Sequence, residues 1–403
     1  GQGARARVER VARVLAHGRS RPSGEHNLRS HRIPAGRNAG AAPRPEARTP
    51  EPAAARETPG RGAGDRTPPI TTEGRRVSRG FPYTPYPNGW FRVADSDEVE
   101  AGSIRAVQYF GKQLVVFRGE DGIAHVLDAY CAHLGAHLGV GGEVVGNTIK
   151  CPFHAWRYDG DGNCVEVPYA RKIPPRAKVH AWTMCEKNGM ILVWHHAEGK
   201  PPSFEIPDVP EWGSQEWSPP QRRSFKVRAH CQEMAENVVD DAHFKFVHQV
   251  HSMPQSTAEI DGHIFRVVSI SKVGTPRGET EGRIEIASHG LGFGLTRFTG
   301  VVEMLVVISG APIDEEYSET TLRFMVKKLA NEEATRGVGK AFIAEIERQF
   351  GQDIPIWENK IHLTRPALCD GDGPIALLRK WARQFYSETP AEPALERPGQ
   401  DPL

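Results

Sequence analysis

The sequence predicts an α+β protein, in which a small all-β domain precedes a larger domain of antiparallel sheet and helices. Three observations predict it. Residues 81–198 break into short β-type runs separated by turn residues, whereas residues 203–395 mix strand-like runs with helical periodicity. Residues 1–78 are crowded with Arg, Pro, Ala and Gly and hold no aromatic side chain. Such a leader buries too little apolar area to offset its ordering entropy, so disorder is expected. The expected division is therefore a leader over 1–78, a β domain over 79–200, an α+β domain over 201–395 and a disordered tail over 396–403.

Within the leader, Val8, Val11 and Leu15 fit one short amphipathic turn. Its Arg-rich composition also suits an organelle transit peptide, but seven acidic residues scattered through it favour plain disorder. Order begins near Phe81-Pro82-Tyr83 and Asn88-Gly89-Trp90-Phe91. Strands are expected over 104–109, 113–118, 124–127, 180–185 and 190–194, with turns at Gly111-Lys112, Asp121-Gly122 and Asn188-Gly189. Gly199-Lys200-Pro201-Pro202 reads as a linker. Beyond it, residues 233–247 begin as a helix, and 264–271, 283–287, 299–309 and 320–327 read as strands. Residues 337–349 and 375–386 read as amphipathic helices, the second placing Leu377, Leu378, Trp381 and Phe385 on one side.

The formal net charge of +1 gives no reason to expect nucleic acid as a partner. No apolar run approaches the roughly 20 residues needed to span a bilayer. Six cysteines in 403 residues are too sparse for a disulfide scaffold and predict a reducing cytoplasm. Neither Gly60-Arg-Gly62-Ala-Gly64 nor Gly290-Leu-Gly292-Phe-Gly294 has nucleotide-loop spacing. The second reads as a turn or bulge near a substrate cavity. Without a flavin or nicotinamide fingerprint, electrons for any redox chemistry must come from a separate protein.

The strongest local signal is Cys131-Ala-His133 followed after seventeen residues by Cys151-Pro-Phe-His154. Two thiolates on one iron and two neutral imidazoles on the other form a Rieske [2Fe–2S] centre. One Cys and one His on each of two short loops let both loops close over such a cluster. The rival reading is a Cys2His2 zinc site, which usually pairs Cys with Cys and His with His around a finger helix. Here each loop carries one of each, between strands. His137 lies in the same loop and reads as a loop or surface histidine, while Cys164, Cys185, Cys231 and Cys369 lack mutual ligand spacing. Cys131-Ala-His133-Leu-Gly-Ala and Cys151-Pro-Phe-His154-Ala-Trp-Arg resemble the two halves of the signature in ring-hydroxylating and steroid oxygenases of the Rieske family. The family often has Pro and Arg where Ala132 and Leu134 stand, a departure that leaves the ligands intact.

A second block reads Asn237-Val-Val-Asp240-Asp241-Ala-His243-Phe-Lys-Phe-Val-His248. Two histidines and one carboxylate make the facial triad of a non-haem Fe(II) oxygenase, with positions open for O2. Histidines five apart diverge by roughly 140° on an unbroken helix, so the helix must unwind or the second must follow it. The Asn-x2-Asp-x2-His-x4-His pattern resembles the catalytic motif of Rieske oxygenase α subunits. That resemblance implies that His243 and His248 bind a mononuclear iron, that Asn237 and Asp240 belong to the catalytic apparatus, and that Asp240 bridges to a cluster histidine of a neighbouring subunit. Asp241 is expected at the surface, and His251 as a spare histidine. A third ligand must come from far along the chain. The segment Gly351-Gln352-Asp353-Ile-Pro-Ile-Trp357-Glu-Asn, expected just after the 337–349 helix, resembles the Gln-Asp-x3-Trp stretch in which steroid-acting members keep it, implying Asp353. Spacing alone does not separate Asp353 from Glu347 and Glu358.

The resemblance runs from about Phe81 to Tyr386 and is nearest to the 3-ketosteroid 9α-hydroxylase oxygenase and cholesterol 7,8-desaturase groups. It implies a helix-grip-like catalytic domain after the Rieske domain and a head-to-tail homotrimer. It also implies a separate NADH-dependent reductase or ferredoxin, so that NAD(P)H acts only indirectly. Expected chemistry is O2-dependent hydroxylation or desaturation of a hydrophobic, steroid-like substrate in a pocket lined by residues such as Phe298 and Met304. The competing readings are an aromatic-ring oxygenase and, from another class, a Rieske electron carrier, which would need only the β domain.

Overall fold

The computed structural model describes residues 81–250, 253–275, 278–300 and 302–388; the expected leader, the tail and His251 lie outside these. The chain first builds three small antiparallel sheets. One joins β2 (Ile104–Tyr109), β3 (Lys112–Arg118) and β4 (Ala124–Asp128), and pairs across the sheet in the order β2-β3-β4. A second runs β5 (Glu143–Val145), β6 (Thr148–Lys150), β7 (Arg157–Tyr158) and β8 (Cys164–Glu166) in sequence. The third sets β10 (Met190–His195) between β1 (Gly89–Asp95) and β9 (Met184–Lys187). The strand expected over 180–185 thus starts later, at Met184, because Ala181 makes only an isolated bridge to Leu127.

The second part is one seven-stranded antiparallel sheet in the order β11-β17-β16-β15-β14-β13-β12. Its strands are β11 (Gln221–Val227), β12 (Gln255–Asp261), β13 (Ile264–Thr275), β14 (Gly278–His289), β15 (Phe293–Thr299), β16 (Met304–Pro312) and β17 (Ser318–Val326). The single strand expected over 299–309 is instead the end of β15, a turn and most of β16. Gly300, at φ +116°, takes a conformation that L side chains rarely adopt and turns the chain there. Gly290, at φ +65°, opens the tight connection from β14 to β15, which is the turn expected of the Gly-x-Gly-x-Gly run.

Among the described residues, four α-helices accompany this sheet: α1 (Cys231–Ala235), α2 (Asp241–Phe246), α3 (Glu332–Asn359) and α4 (Ile375–Ala382). Phe342 and Ile343 of α3 bury against Val306, Leu322 and Phe324 of the sheet. At about 1.5 Å per residue, the 28 residues of α3 cross the sheet over roughly 40 Å. No helix among the described residues is long and apolar enough to cross a membrane.

The two parts share their interior. Trp90, Leu192 and Trp194 belong to the same core cluster as Phe293, Leu295, Trp381 and Phe385. A buried ionic group reinforces the join: Asp95 of β1 accepts from Arg92 at 3.1 Å and from Arg222 and Arg323 of the second sheet. Arg92 also reaches Glu319 at 3.0 Å. Burial alone would raise the Asp95 pKa, but Arg323 and Arg92 outweigh it and hold the carboxyl down at about 2.

Candidate metal centres

The two Cys–His loops are folded alike. Cys131 N–H donates to Ala136 O at 2.9 Å, and Gly135 N–H donates back to Cys131 O at 3.0 Å. In the second loop Cys151 N–H donates to Trp156 O at 2.8 Å and Ala155 N–H to Cys151 O at 3.1 Å. Both fourth residues after the cysteine take positive φ, +73° at Gly135 and +57° at Ala155. Glycine meets that demand freely, whereas alanine holds it at a cost that the loop's other bonds must offset. The repeated turn brings both thiols inward, where Cys131 and Cys151 are buried. Burial and the neighbouring Cys131 sulfur push the Cys151 thiol pKa up.

The imidazoles complete the set. The His133 and His154 rings lie 4.7 Å apart, edge to face, and His133 stacks on Trp156 at 4.5 Å. Their Nδ1 atoms are buried and find no hydrogen-bond partner in the protein. A buried polar nitrogen left unpaired costs about 1–3 kcal/mol, so two of them on the same two loops as two buried thiols call for a common occupant. Two sulfurs and two imidazole nitrogens are the donors of a Rieske cluster. Tyr158 adds its hydroxyl at 3.1 Å from Cys131 Sγ. His137 is drawn into the loop itself, where its Nδ1 accepts from Gly139 N–H at 3.0 Å.

The second constellation depends on a broken helix. α1 passes into a 3₁₀ turn over Glu236–Val239, and Asp240, at φ −92° and ψ 90°, ends it and caps α2. The Asp240 carboxylate accepts from His243 N–H at 3.2 Å, while its backbone carbonyl accepts from His243 Nδ1. The chain leaves α2 after Phe246, and His248 N–H donates to His243 O at 3.3 Å, which keeps His248 beside His243. The two rings stand 4.9 Å apart. The five-residue separation is therefore resolved by the second histidine following the helix.

Asp353 joins them from α3, its Oδ2 3.4 Å from His248 Nε2. One ligand atom from each of His243, His248 and Asp353 lies within 4.8 Å of the others, and both His248 and Asp353 are buried. Contrary to the expected helix end at 349, α3 continues to Asn359, so Asp353 sits within it. Pro355 falls inside the last two turns of this helix. Glu347 pairs instead with Arg223 at 2.6 Å, and Glu358 accepts from Arg228 N–H at 3.2 Å. On the helix they point roughly 120° and 140° away from Asp353.

The surroundings set the tautomers. His248 Nδ1 donates to Gln352 Oε1 at 3.1 Å, an oxygen that also takes Arg348 at 2.8 Å. With Nδ1 hydrogens spent on Gln352 and on the Asp240 carbonyl, both Nε2 lone pairs are free for a metal. Burial lowers the His248 pKa, but the bond and charge of Asp353 raise it more. Trp357 Nε1–H donates to Asn237 Oδ1 at 3.1 Å, tying α3 to the start of the motif. Asp241, expected at the surface, is half-buried and accepts from Ser256 N–H at 3.2 Å and Ser256 Oγ at 2.5 Å. Sequence gave no sign of that partner, since nothing in either residue's local pattern marks the pairing.

The triad opens on a cavity of about 540 Å³, lined by His243, His248 and Asp353 and by apolar side chains that include Phe298 and Met304. Val338 and Asp353, both lining it, are fifteen positions apart on α3, or about 22 Å along the axis. The lining is long and mostly apolar, with few polar groups to orient a ligand.

The Rieske [2Fe-2S] domain family matches residues 89–191, and the 3-ketosteroid 9alpha-hydroxylase C-terminal domain family matches residues 193–386. The 3-ketosteroid-9-alpha-monooxygenase, oxygenase component, of Rhodococcus rhodochrous is 33% identical over 333 residues, covering 77% of this chain and 84% of the relative. The cholesterol 7-desaturase nvd of Bombyx mori is 33% identical over 354 residues, covering 80% of this chain and 76% of the relative. Among solved structures, dicamba monooxygenase bound to dicamba aligns with a TM-score of 0.59 at 16% identity, over 75% of this chain and 98% of that one. NdmA of Pseudomonas putida CBB5 with caffeine aligns with a TM-score of 0.61 at 22% identity, over 73% and 89%. The last two likenesses bear on the fold alone. The domain order and the full-length relatives make the chain an oxidoreductase that belongs to the family of Rieske oxygenase components containing the 3-ketosteroid-9-alpha-monooxygenases and the cholesterol 7-desaturases.

Proposed function

We propose that the chain is the terminal oxygenase of a steroid- or sterol-oxidising system, fed with electrons by a separate NADH-dependent reductase. The observation that carries this reading is the His243–His248–Asp353 triad set against a long apolar cavity. Cys131, His133, Cys151 and His154 would hold the Rieske cluster, and His243, His248 and Asp353 the mononuclear iron. When bound, the two groups supply one-electron transfer and O2 activation respectively. The chain's own residues do the rest. Gln352 and the Asp240 carbonyl orient the two imidazoles, the apolar lining excludes water, and the length of the cavity suits a tetracyclic substrate better than a single aromatic ring.

We further propose a head-to-tail homotrimer. Leu134 and Phe153, flanking the cluster histidines, are 65% and 61% exposed, and Phe246 beside the triad is 74% exposed. Apolar groups on both faces suit the burial of one face against the other in a neighbouring subunit. Asp240 would then accept the outward imidazole N–H of a partner's cluster ligand. All six cysteines are free, which suits a reducing compartment.

The test is a mass-resolved product assay with an NADH-driven reductase and three substrates: cholesterol, a 3-ketosteroid and an aromatic acid. A steroid gaining one oxygen marks hydroxylation, and one losing two hydrogens marks desaturation. Turnover of the aromatic acid alone would overturn the substrate class. Iron analysis separates an oxygenase, with about three irons per chain, from an electron carrier with about two.

A further inference from the structure

The cavity carries a polar contact between two serines whose direction is fixed. Ser269 of β13 lines the cavity on the buried face of its strand, alternating with Phe265 and Val267. Across the ladder it faces Ser256 of β12, and the two hydroxyls lie 2.5 Å apart. Ser256 in turn gives its hydroxyl hydrogen to the Asp241 carboxylate, which also holds the Ser256 N–H. A serine has a single hydroxyl hydrogen, and a carboxylate only accepts. Ser256 has therefore spent its hydrogen, and the short contact to Ser269 requires Ser269 to be the donor. That leaves Ser269 Oγ with lone pairs alone to offer the cavity.

We infer that Ser269 selects a substrate bearing a hydroxyl over the ketone of the same skeleton. This deepens the steroid reading and rests on it. A substrate hydroxyl donates to Ser269 Oγ and completes the chain from substrate to Ser269, Ser256 and Asp241. A carbonyl oxygen at the same place sets lone pairs against lone pairs and leaves two acceptors unpaired in a dry cavity. Sites built around a polar partner discriminate strongly for this reason, because the wrong ligand strands a buried group. Ser288 and Thr296 also line the cavity, and among the described residues neither is tied to a carboxylate. Their hydroxyls can rotate to give or to take, so they do not discriminate. Asn237 has its carbonyl oxygen committed to Trp357.

The experiment compares cholesterol with its 3-ketone counterpart, cholest-4-en-3-one, in kcat/KM and in Kd read from tryptophan fluorescence, since Trp357 and Trp381 line the cavity. The wild type should favour the hydroxysteroid about tenfold or more, a difference of about 1.4 kcal/mol. Ser269→Ala should lose about that factor for cholesterol, in KM and Kd rather than kcat, and leave the ketone unchanged or improved. Ser256→Ala keeps the Ser269 hydroxyl but frees its hydrogen, so it should tighten the ketone and narrow the ratio. A merely structural role would weaken both steroids together in both variants. The Rieske absorption spectrum and iron content report folding, and Ser256→Ala stands as the test if Ser269→Ala does not fold. A wild type that prefers the ketone, or a ratio unmoved by either substitution, overturns the inference while the steroid reading stands. Oxidation of neither steroid overturns that reading and the inference with it.

Discussion

Gly373 lies more than a hundred residues from the catalytic motif in sequence and touches it in space, which makes Gly373→Ala a sharp probe of how the iron site is held. A Cβ placed there would come 2.8 Å from the carbonyl carbon of Val239, with the oxygen closer still, and 3.4 Å from Asp241 N. Carbon atoms rest about 3.5–4.0 Å apart, so the substitution demands a displacement of roughly 1 Å. The obstacle is backbone on both sides of Asp240, and no flexible side chain can give way. Two outcomes follow from the size of the shift. Overpacking of this kind costs about 1–3 kcal/mol in stability. Moving the segment that carries Asp240 and His243 by about 1 Å should lower turnover by about 100-fold, the usual penalty for that misplacement. The Rieske absorption spectrum serves as the control for folding. The assay is iron per chain, the reduced Rieske electron paramagnetic resonance signal and single-turnover product yield, measured on one preparation. Full mononuclear iron and wild-type turnover in Gly373→Ala would refute the claim that this contact fixes the site.

Three further outcomes are expected. Gln352→Ala removes the acceptor of His248 Nδ1, and loss of such a partner typically weakens metal binding by about 10–100-fold; competition with a chelator measures it, with Rieske absorbance as the control. Asp240→Ala should leave both metals bound, as iron analysis would show, yet slow single-turnover oxidation sharply; an unchanged rate removes Asp240 from the electron path. Asp95→Asn breaks the buried group that joins the two domains and should cost about 3–5 kcal/mol in chemical denaturation. The Asp95 pKa falls from 3.8 to about 2 on folding, so its contribution of about 2 kcal/mol is complete above pH 4 and fades as pH falls toward 2. The variant should lack that slope.

The sequence by itself picked out each candidate metal set wherever its residues are close in the chain. Cys131, His133, Cys151 and His154 were legible because each pair sits on one short turn, and a turn of four or five residues fixes its own geometry through local hydrogen bonds. His243 and His248 were legible for the same reason, and their spacing required the helix to unwind or to end before the second, as it does at Phe246. β2, β3, β4, β10, β13, β14 and β17 were legible from alternation and turn residues; β1, β11, β12 and the short β5–β8 were not among them, and a run of apolar residues across Gly300 hid the hairpin of β15 and β16. The extent of α3 was misjudged because Gly351 and Pro355 are poor helix residues, and packing of Phe342, Ile343 and Trp357 overrode their propensity.

Only the tertiary structure decided what depends on residues far apart in the chain. It set Asp353, and neither Glu347 nor Glu358, beside His243 and His248 by the face of a long helix, since three carboxylates within twelve residues look alike until their directions are known. It turned Asp241 from an expected surface acid into the anchor of a serine pair, a result of β12 and β13 meeting in one register and no other. It also made the cavity, whose lining is gathered from five strands and four helices and so has no signature in any one of them. Local hydrogen bonds and residue types act over a few residues and can be read along a line. Which side chains share a face, a direction or a hydrogen is settled by packing, which acts across the whole chain at once.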